Sequence, residues 1–233
     1  MKAAIITGAS VGIGCATAER FLREGYQVFN LSRRKSPAEG VANVAVDLAD
    51  DSSINAVCAT LVEQLAPCTT VSLIHNAAQM RKDSTAHCKS DDLRDVLETN
   101  VVAINSLNQA LLPALPRGSS LLYVGSTLSE KAVPGSFSYV VSKHAQLGVM
   151  RASCQDLMGT GIHTALVCPG FTDTEMLRTH LGNDNEIIES IGAMNSFGRL
   201  IDPDEIAELL FWAHENPVIN GAVLHANLGQ KEA

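Results

Sequence analysis

Short apolar runs recur along the chain, and they alternate with longer segments whose apolar positions follow a helical period. Most runs are apolar at consecutive positions, which is typical of strands buried on both faces of a parallel sheet. They predict seven strands, at residues 3–7, 27–31, 44–47, 71–75, 119–125, 164–168 and 222–226. The intervening segments predict helices at residues 13–24, 52–66, 91–112, 138–159 and 203–215. This alternation indicates a single α/β domain over residues 1–233, with a doubly wound parallel sheet between two layers of helices.

Residues 171–198 depart from this pattern. They follow a predicted strand, but their helical periodicity is weak and several Gly, Asn and Thr residues interrupt regular structure. Long irregular segments beyond the end of a strand often carry binding residues. We therefore expect residues 171–198 to form a lid over a bound substrate and to determine which substrate is accepted.

Composition and charge narrow the class of protein. Hydrophobic residues make up 46% of the 233 residues and charged residues 18%, so the chain is globular rather than disordered. The net charge of −8 disfavours nucleic acid and anionic membranes as partners. No apolar run approaches the roughly 18–20 residues of a membrane span, and we expect no signal peptide. The six cysteines include no C-x-x-C pair, which favours reduced thiols and a cytoplasmic location.

Candidate chemistry begins at the end of the first predicted strand. There the sequence reads Thr7-Gly8-Ala9-Ser10-Val11-Gly12-Ile13-Gly14. Gly8 allows a tight turn, Gly12 lets the backbone approach a pyrophosphate, and Gly14 lets the following helix pack close to the sheet. The N-terminus of that helix directs N–H groups at the phosphates. Glycine turns are common, so this motif alone is weak support for dinucleotide binding.

A tyrosine and a lysine stand four residues apart on the fourth predicted helix. Tyr139 and Lys143 therefore lie within about 40° of each other around the helix and about 6 Å apart along it. An ammonium group at that separation stabilises tyrosinate and lowers the phenol pKa from about 10. Such a tyrosine can give a proton to a carbonyl oxygen.

A serine ends the fifth predicted strand, at the sheet edge where ligands of open α/β sheets bind. We expect the Ser126 hydroxyl to hydrogen-bond the oxygen that Tyr139 protonates. Taken singly, the Tyr139–Lys143 pair also fits an ordinary helix surface, Ser126 fits a turn, and Asn100 fits a bend in the third predicted helix.

Together, these motifs resemble those of the classical short-chain dehydrogenases/reductases over essentially all 233 residues. The motifs are the glycine turn, Asp47-Leu48, Asn76-Ala77-Ala78, Asn100, Ser126, Tyr139-x-x-x-Lys143 and Pro169-Gly170-x-x-x-Thr174. The resemblance implies a Rossmann-like sheet of strand order 3-2-1-4-5-6-7. It also implies that Tyr139 is the general acid, that Ser126 holds the substrate oxygen, and that Lys143 assists the tyrosine. Asn100 is expected to support a proton relay that reaches Lys143 through water.

The resemblance also implies a set of residues that bind a dinucleotide. Asp47 is expected to contact the adenine ring, Lys143 the nicotinamide ribose, and Thr174 the nicotinamide carboxamide. Asn76 is expected to tie the fourth strand to its neighbours. The complete expected set is Gly8, Ser10, Gly12, Ile13, Gly14, Ser32, Arg33, Asp47, Leu48, Asn76, Ala77, Ala78, Tyr139, Lys143, Pro169, Gly170 and Thr174. No metal site is expected.

The end of the second predicted strand indicates which dinucleotide is used. Between Glu24 and Glu39 the chain has no acidic residue, whereas NAD-selective sites place one here for the ribose 2′-hydroxyl. Instead the chain has Arg33, where NADP-binding members of the family carry a basic residue, and Ser32 beside it. A guanidinium pairs well with a 2′-phosphate, so we expect NADP(H). The alternative is a solvated basic turn.

These residues predict an NADPH-dependent carbonyl reductase for a small ketone, diketone or aldehyde, which in reverse oxidises the alcohol. Within the family, the chain resembles sepiapterin reductase-like and benzil reductase-like enzymes. One alternative is a 3-oxoacyl-acyl-carrier-protein reductase, although those enzymes usually carry a basic residue where this chain has Val11. Another alternative is a non-catalytic NADP(H)-binding sensor. Family members commonly pair through the helices at 91–112 and 138–159, so we expect a homodimer or homotetramer.

Overall fold

The seven apolar runs pair as parallel strands of one sheet in a computed structural model, which describes residues 1–231. The strands are β1 (Lys2–Thr7), β2 (Gln27–Leu31), β3 (Ala42–Val44), β4 (Thr70–His75), β5 (Ser120–Val124), β6 (His163–Pro169) and β7 (Ala222–Ala226). Across the described residues the order is β3-β2-β1-β4-β5-β6-β7. The predicted fold class and strand order are therefore confirmed. The last two residues of the predicted domain lie outside the described range.

Helices cover both faces of this sheet. Over residues 1–231 they are α1 (Gly12–Arg23), α2 (Asp51–Leu65), α3 (Ser90–Leu97), α4 (Ala103–Leu111), α5 (Phe137–Asp156), α6 (Glu175–His180), α7 (Asn185–Gly192) and α8 (Pro203–Glu215). In β1, Ala3 and Ile5 pack into a core beneath α2, α4 and α5, whereas Ala4 and Ile6 pack into a second core beneath α1 and α8. Burial on both faces explains why the strands are apolar at consecutive positions.

Strand β3 lies earlier in the chain than the predicted span of 44–47. It is a three-residue edge strand, from Ala42 to Val44, that pairs only with β2 among the described residues. Beyond Val44 the backbone leaves the sheet, because the N–H of Asp47 donates to the Ser53 hydroxyl at 3.2 Å. The Asp47 carboxylate in turn accepts the N–H of Ala49 at 3.0 Å. These local bonds turn the chain towards α2 and end the strand.

The predicted helix at 91–112 is not continuous. A turn of π-helix, Glu98–Val102, separates α3 from α4, and a 3₁₀ turn, Leu112–Ala114, follows α4. The Asn100 side chain is buried inside the π turn and bonds the backbone of Gln79 instead of facing solvent. This attachment to the neighbouring loop widens the helix at one point, as an inserted side chain commonly does.

Residues 171–198, which we expected to be irregular, contain the two short helices α6 and α7. Thr174 caps α6 by accepting the N–H of Leu177 at 3.2 Å, and Asp184 caps α7 through Glu186 and Ile187. The helices are six and eight residues long and bury few side chains, so they leave only a weak periodic pattern in the sequence.

Two further features concern the state of the cysteines and the length of the helices. All six cysteines are free thiols, and three of them are buried. Within residues 1–231, no helix is both long enough and apolar enough to span a bilayer.

Candidate active site

A cavity of about 1440 Å³ opens along the carboxyl ends of the strands. Its walls include every predicted site residue except Gly14 and Asn100. Ligands of open α/β sheets bind at this edge, where the strand order reverses between β1 and β4. The topology therefore collects residues that are far apart in the chain into one space, larger than a typical small-molecule site of about 300–1,000 Å³.

The glycine turn after β1 has backbone conformations that side chains disfavour. Gly8 and Gly12 adopt φ values of +71° and +55°. A Cβ at Gly14 would lie 2.3 Å from the carbonyl oxygen of Gly8, so only glycine allows α1 to approach the turn so closely. Val11, the residue before α1, makes no side-chain cap, so the first N–H groups of α1 have no side-chain partner there. The start of α1 forms part of the cavity wall. This cradle fits the pyrophosphate of a dinucleotide.

Asn76 and Thr7 fix the glycine turn to β4. The Asn76 amide donates to the carbonyl oxygens of Thr7 at 2.9 Å and Gly8 at 3.1 Å. The Thr7 hydroxyl oxygen accepts the N–H groups of Asn76 at 2.9 Å and Ala77 at 3.0 Å. These four bonds hold the turn and the β4 end in one arrangement, with Ala77 and Ala78 in the cavity wall.

The basic end of β2 lines the same cavity, beyond the glycine turn. Arg33 and Arg34 are exposed, and Arg34 pairs with Glu175 of α6 at 3.1 Å. Within residues 1–231, Arg33 takes part in no ion pair. Buried Asn30 accepts the N–H of Ala9 at 2.9 Å and donates to the carbonyl of Arg34 at 3.0 Å, so it joins the glycine turn to the basic segment.

Ser126 and Tyr139 meet at the opposite part of the cavity, beyond β5. Ser126 caps a 3₁₀ turn, Thr127–Ser129, where its hydroxyl oxygen accepts the N–H of Leu128 at 3.1 Å. The backbone N–H of Ser126 donates to the Ser129 hydroxyl at 3.2 Å. Tyr139, in the first turn of α5, lines the same cavity, with the Ser126 side chain close enough to act on its pKa. Ser126 is thus held by its own capping box near the tyrosine.

Lys143 lies one turn of α5 beyond Tyr139. Its ammonium donates to the carbonyl oxygen of Val124 at 2.7 Å and to Oε1 of Gln146 at 3.0 Å. The Lys143 Nζ is 5.5 Å from the centroid of the Tyr139 ring. Both side chains are buried, and both belong to the cavity wall.

In the protein alone the pKa of Tyr139 lies above its ordinary value of 10, not below it as expected. Burial raises the pKa of Tyr139 to about 12, and the nearby Ser126 side chain only partly opposes that rise. Burial also lowers the pKa of Lys143 to about 8. Loss of hydration dominates both pKa values, so Tyr139 is a neutral phenol at neutral pH. A neutral phenol is the form that can give a proton.

Asn100 lies outside the cavity wall. Its Oδ1 accepts the N–H of Gln79 at 2.8 Å, and its Nδ2 donates to the Gln79 carbonyl at 3.0 Å and the Ser142 hydroxyl at 2.9 Å. Ser142 directly precedes Lys143 on α5. Among the bonds of the described residues, none joins Asn100 to Lys143 directly, and the relay through water stays a prediction.

Four residues that support the site were missed by sequence reasoning: Thr7, Asn30, Ser129 and Gln146. Two of them carried a signal. Ser129 stands three residues after Ser126, which is the spacing of a capping box. Gln146 is a polar residue on the buried stripe of α5 that contains Tyr139, Lys143 and Met150. Thr7 and Asn30 had no signal of their own, because their partners come from other parts of the chain.

Comparison with known proteins identifies the family. A family model of the short-chain dehydrogenase type, described as enoyl-(acyl carrier protein) reductase, matches residues 8–231. The chain belongs to the classical short-chain dehydrogenase/reductase family. The predicted family is therefore confirmed.

Relatives over nearly the whole chain agree with this membership. The chain is 28% identical to a 3-oxoacyl-[acyl-carrier-protein] reductase of Vibrio harveyi, over 98% of this chain and 96% of the relative. It is 26% identical to carbonyl reductase family member 4 of Danio rerio, over 96% of this chain and 95% of the relative. A solved short-chain dehydrogenase of Burkholderia cenocepacia in complex with NADP is 26% identical, with a TM-score of 0.87 and coverage of 98% and 97%.

The membership makes the protein an NADP(H)-dependent oxidoreductase that acts on alcohol or carbonyl groups, as predicted. The narrower resemblance to sepiapterin reductase-like and benzil reductase-like enzymes stays a prediction.

Proposed function

We propose that the protein is a carbonyl reductase that uses NADPH to reduce a small ketone, diketone or aldehyde. In the reverse direction it oxidises the corresponding alcohol. The observation that carries this proposal is the neutral Tyr139 phenol beside Ser126, in the same cavity as the glycine turn. The assembled pair argues against a sensor that has lost the reaction.

The reacting groups of the chain act on one substrate oxygen. NADPH, when bound, supplies a hydride to the carbonyl carbon. The Ser126 hydroxyl oxygen accepts the N–H of Leu128, and its O–H can donate to the substrate oxygen. Tyr139 gives that oxygen its phenolic proton. Burial keeps the tyrosine protonated at neutral pH, so the proton is available for this step.

Lys143, one turn of α5 beyond the tyrosine, supports the same step. Two of its three N–H donors are taken by Val124 and Gln146, which leaves one for the nicotinamide ribose. As Tyr139 loses its proton, the Lys143 charge stabilises the resulting phenolate. Asn100 holds Ser142 beside the lysine, and we propose that it supports the relay of a replacement proton.

The other predicted residues would hold the cofactor in the rest of the cavity. The first N–H groups of α1 meet the pyrophosphate, and Arg33 with Ser32 meets the 2′-phosphate. Asp47 with Leu48 would meet the adenine ring, Ala77 and Ala78 the adenosine ribose, and Thr174, beside Pro169 and Gly170, the nicotinamide carboxamide. All of these residues line the cavity. Arg33 suits this role because, over residues 1–231, no ion pair competes for it.

A second candidate is reduction of a 3-oxoacyl group carried on an acyl carrier protein. The relatives of Vibrio harveyi and Escherichia coli carry that name, at 28% and 27% identity. The exposed Val11 in the glycine turn and the net charge of −8 favour the first candidate, because an acidic carrier protein docks on a basic surface.

The test measures NADPH consumption through the absorbance of NADPH. It compares diketones, quinones and aldehydes with an acetoacetyl thioester of acyl carrier protein as substrates. Carbonyl reduction predicts turnover with the free carbonyl compounds at higher kcat/KM than with the carrier-bound thioester. The reverse order would assign the second candidate. Failure with every substrate, although NADPH binds, would contradict both.

Three further properties belong to this proposal. Residues 171–198 act as the substrate lid, since Thr174, Met176 and Ile191 all line the cavity. The protein assembles as a homodimer or homotetramer through the segments 91–112 and 138–159, and it works in the cytoplasm. Gel filtration with light scattering tests the assembly, and a monomer would contradict it.

A further inference from the structure

A second pocket, of about 460 Å³, adjoins the active-site cavity and is called the side pocket below. Its wall contains Lys82, His87 and His180 together with the bend at Pro134 and Gly135. Lys82, Pro134 and His180 also belong to the wall of the active-site cavity. A ligand that extends from the cavity therefore meets Lys82 and His180 at the mouth of the side pocket.

Lys82 brings an uncompensated positive charge to this mouth. Its neighbour Arg81 forms ion pairs with Asp92 and with Asp95, the latter at 3.1 Å. Lys82 is exposed and, within residues 1–231, forms no ion pair. Lys82 and His180 line both pockets. Burial lowers the pKa of His180, and the charge of Lys82 lowers it further. His180 is then a neutral imidazole, whose N–H is a hydrogen-bond donor.

The acidic residue in the side-pocket wall does not neutralise Lys82. The Oδ1 atom of Asp83 accepts the N–H of Ser138 at 3.0 Å, and its Oδ2 atom is buried. The backbone N–H of Asp83 donates to the carbonyl of Gly135 at 3.1 Å. These bonds turn the carboxylate towards the start of α5 and fix the side pocket to the turn that carries Tyr139.

Apolar side chains also line the cavity that contains the reacting groups and this mouth. Leu128, Val133, Phe171, Met176 and Leu181 all belong to its wall. Val133 and Met176 are 47% and 40% exposed, which makes them free to cover an apolar ligand. The cavity wall thus combines a proton donor, apolar side chains, and, at the mouth of the side pocket, the Lys82 ammonium with the neutral His180 donor.

We propose that the substrate is an apolar carbonyl compound with a carboxylate remote from the carbonyl group, and that Lys82 and His180 bind this carboxylate. The proposal rests on the carbonyl-reductase function above. One ammonium charge and one imidazole N–H match the single charge and two oxygens of a carboxylate. A doubly charged phosphate would keep an unbalanced charge at this mouth.

Binding of simple probes tests the anion site without turnover. Calorimetry compares heptanoate with neutral heptanamide on the full chain, on Lys82→Gln and on Lys89→Gln, an exposed lysine outside both pockets. We expect heptanoate to bind about fivefold more tightly than heptanamide, as for an exposed ion pair, and Lys82→Gln alone to remove that difference. Equal binding of the two probes, or an unchanged preference in Lys82→Gln, would overturn the proposal. Tighter binding of hexyl phosphate than of heptanoate would overturn the assignment to a carboxylate.

Turnover separates this proposal from the function on which it rests. The kcat/KM for 7-oxooctanoate is expected to exceed that for its methyl ester, and His180→Phe is expected to reduce the ratio. Reduction of both compounds at equal kcat/KM would overturn the carboxylate site and leave carbonyl reduction intact. Reduction of neither would contradict the carbonyl-reductase function, while the calorimetric comparison would still decide the anion site.

Discussion

The Lys143 ammonium shows how one buried side chain depends on its immediate acceptors. It donates to Val124 and to Gln146, whose side chain is itself buried. An acceptor for a buried ammonium stabilises the charged form, so Gln146 limits how far burial can lower the pKa of Lys143. We regard Gln146 as a positioning residue for Lys143.

Gln146→Leu is therefore expected to lower the pKa of Lys143 further, by about one unit, because a hydrogen bond to a charged group is lost. The measurement is the dissociation constant of NADPH as a function of pH. NADPH binding is expected to weaken as Lys143 loses its proton. Its midpoint should move to lower pH in Gln146→Leu and to higher pH in Gln146→Glu. Identical pH profiles for both variants would show that Gln146 only packs.

Arg33 carries the choice between the two nicotinamide cofactors. Arg33→Ala should weaken NADPH binding by about 10- to 100-fold, the scale of a charge-assisted hydrogen bond, and change NADH binding little. Arg94→Ala is the control, because Arg94 is an exposed arginine that pairs with Asp91 away from the cavity. An equal loss for both cofactors, or a wild-type kcat/KM with NADH at least as high as with NADPH, would contradict this role.

At the scale of elements, the segment 171–198 is the least firmly held part of the site. No side chain of α6 is buried, and α7 buries only Ile188 and Gly192 within its described span. The Arg34–Glu175 ion pair joins α6 to the basic end of β2, although both groups are exposed and such pairs stabilise little. Local opening of such a segment costs less than unfolding the sheet.

We expect NADPH together with a substrate to slow proteolytic cleavage within 171–198. The exposed turn at 158–161 lies outside the cavity and serves as an internal control, since its cleavage should not change. Cleavage sites are located by mass spectrometry after brief digestion. A cleavage rate in 171–198 that ligands leave unchanged would count against a lid.

The elements that sequence reasoning placed well are those with the strongest local signal. Consecutive apolar residues located β1, β2 and β7, and helical periodicity located the helix at 203–215. The π turn and the shift of β3 were missed, because they depend on Asn100 bonding Gln79 and on Ser53 bonding Asp47. Likewise, the Tyr-x-x-x-Lys motif located Lys143. Its hydrogen bond to the Val124 carbonyl could not be predicted, because it depends on how α5 packs against β5.

At the scale of the whole molecule, a series of buried hydrogen bonds joins α8 to the sheet, away from the active site. Tyr26 hydrogen-bonds His214 at 2.9 Å, His214 bonds Ser120 at 2.7 Å, and Ser120 bonds Ser72 at 2.8 Å. Burial lowers the pKa of His214 to about 4, from an ordinary value of 6.5. The folded protein therefore binds this proton less readily than the unfolded chain does.

Stability should fall as the pH drops below about 6.5, by up to about 1.4 kcal/mol per pH unit for His214 until about pH 4. Above pH 6.5 the histidine is neutral in both states and makes no pH-dependent contribution. Urea unfolding between pH 7.5 and pH 4.5 measures the slope, which His214→Gln should reduce and the exposed His144→Gln should not. A slope that is the same in both variants would contradict the assignment to His214.

The most direct test of carbonyl reduction at this site is Tyr139→Phe, with NADPH oxidation and NADPH binding measured side by side. The substitution removes the phenolic hydroxyl and leaves the buried ring in place. We expect turnover to fall by about 10²- to 10⁴-fold, the scale of a lost general acid, while the dissociation constant of NADPH stays within about twofold of wild type. Turnover near the wild-type rate in Tyr139→Phe would contradict Tyr139 as the proton donor.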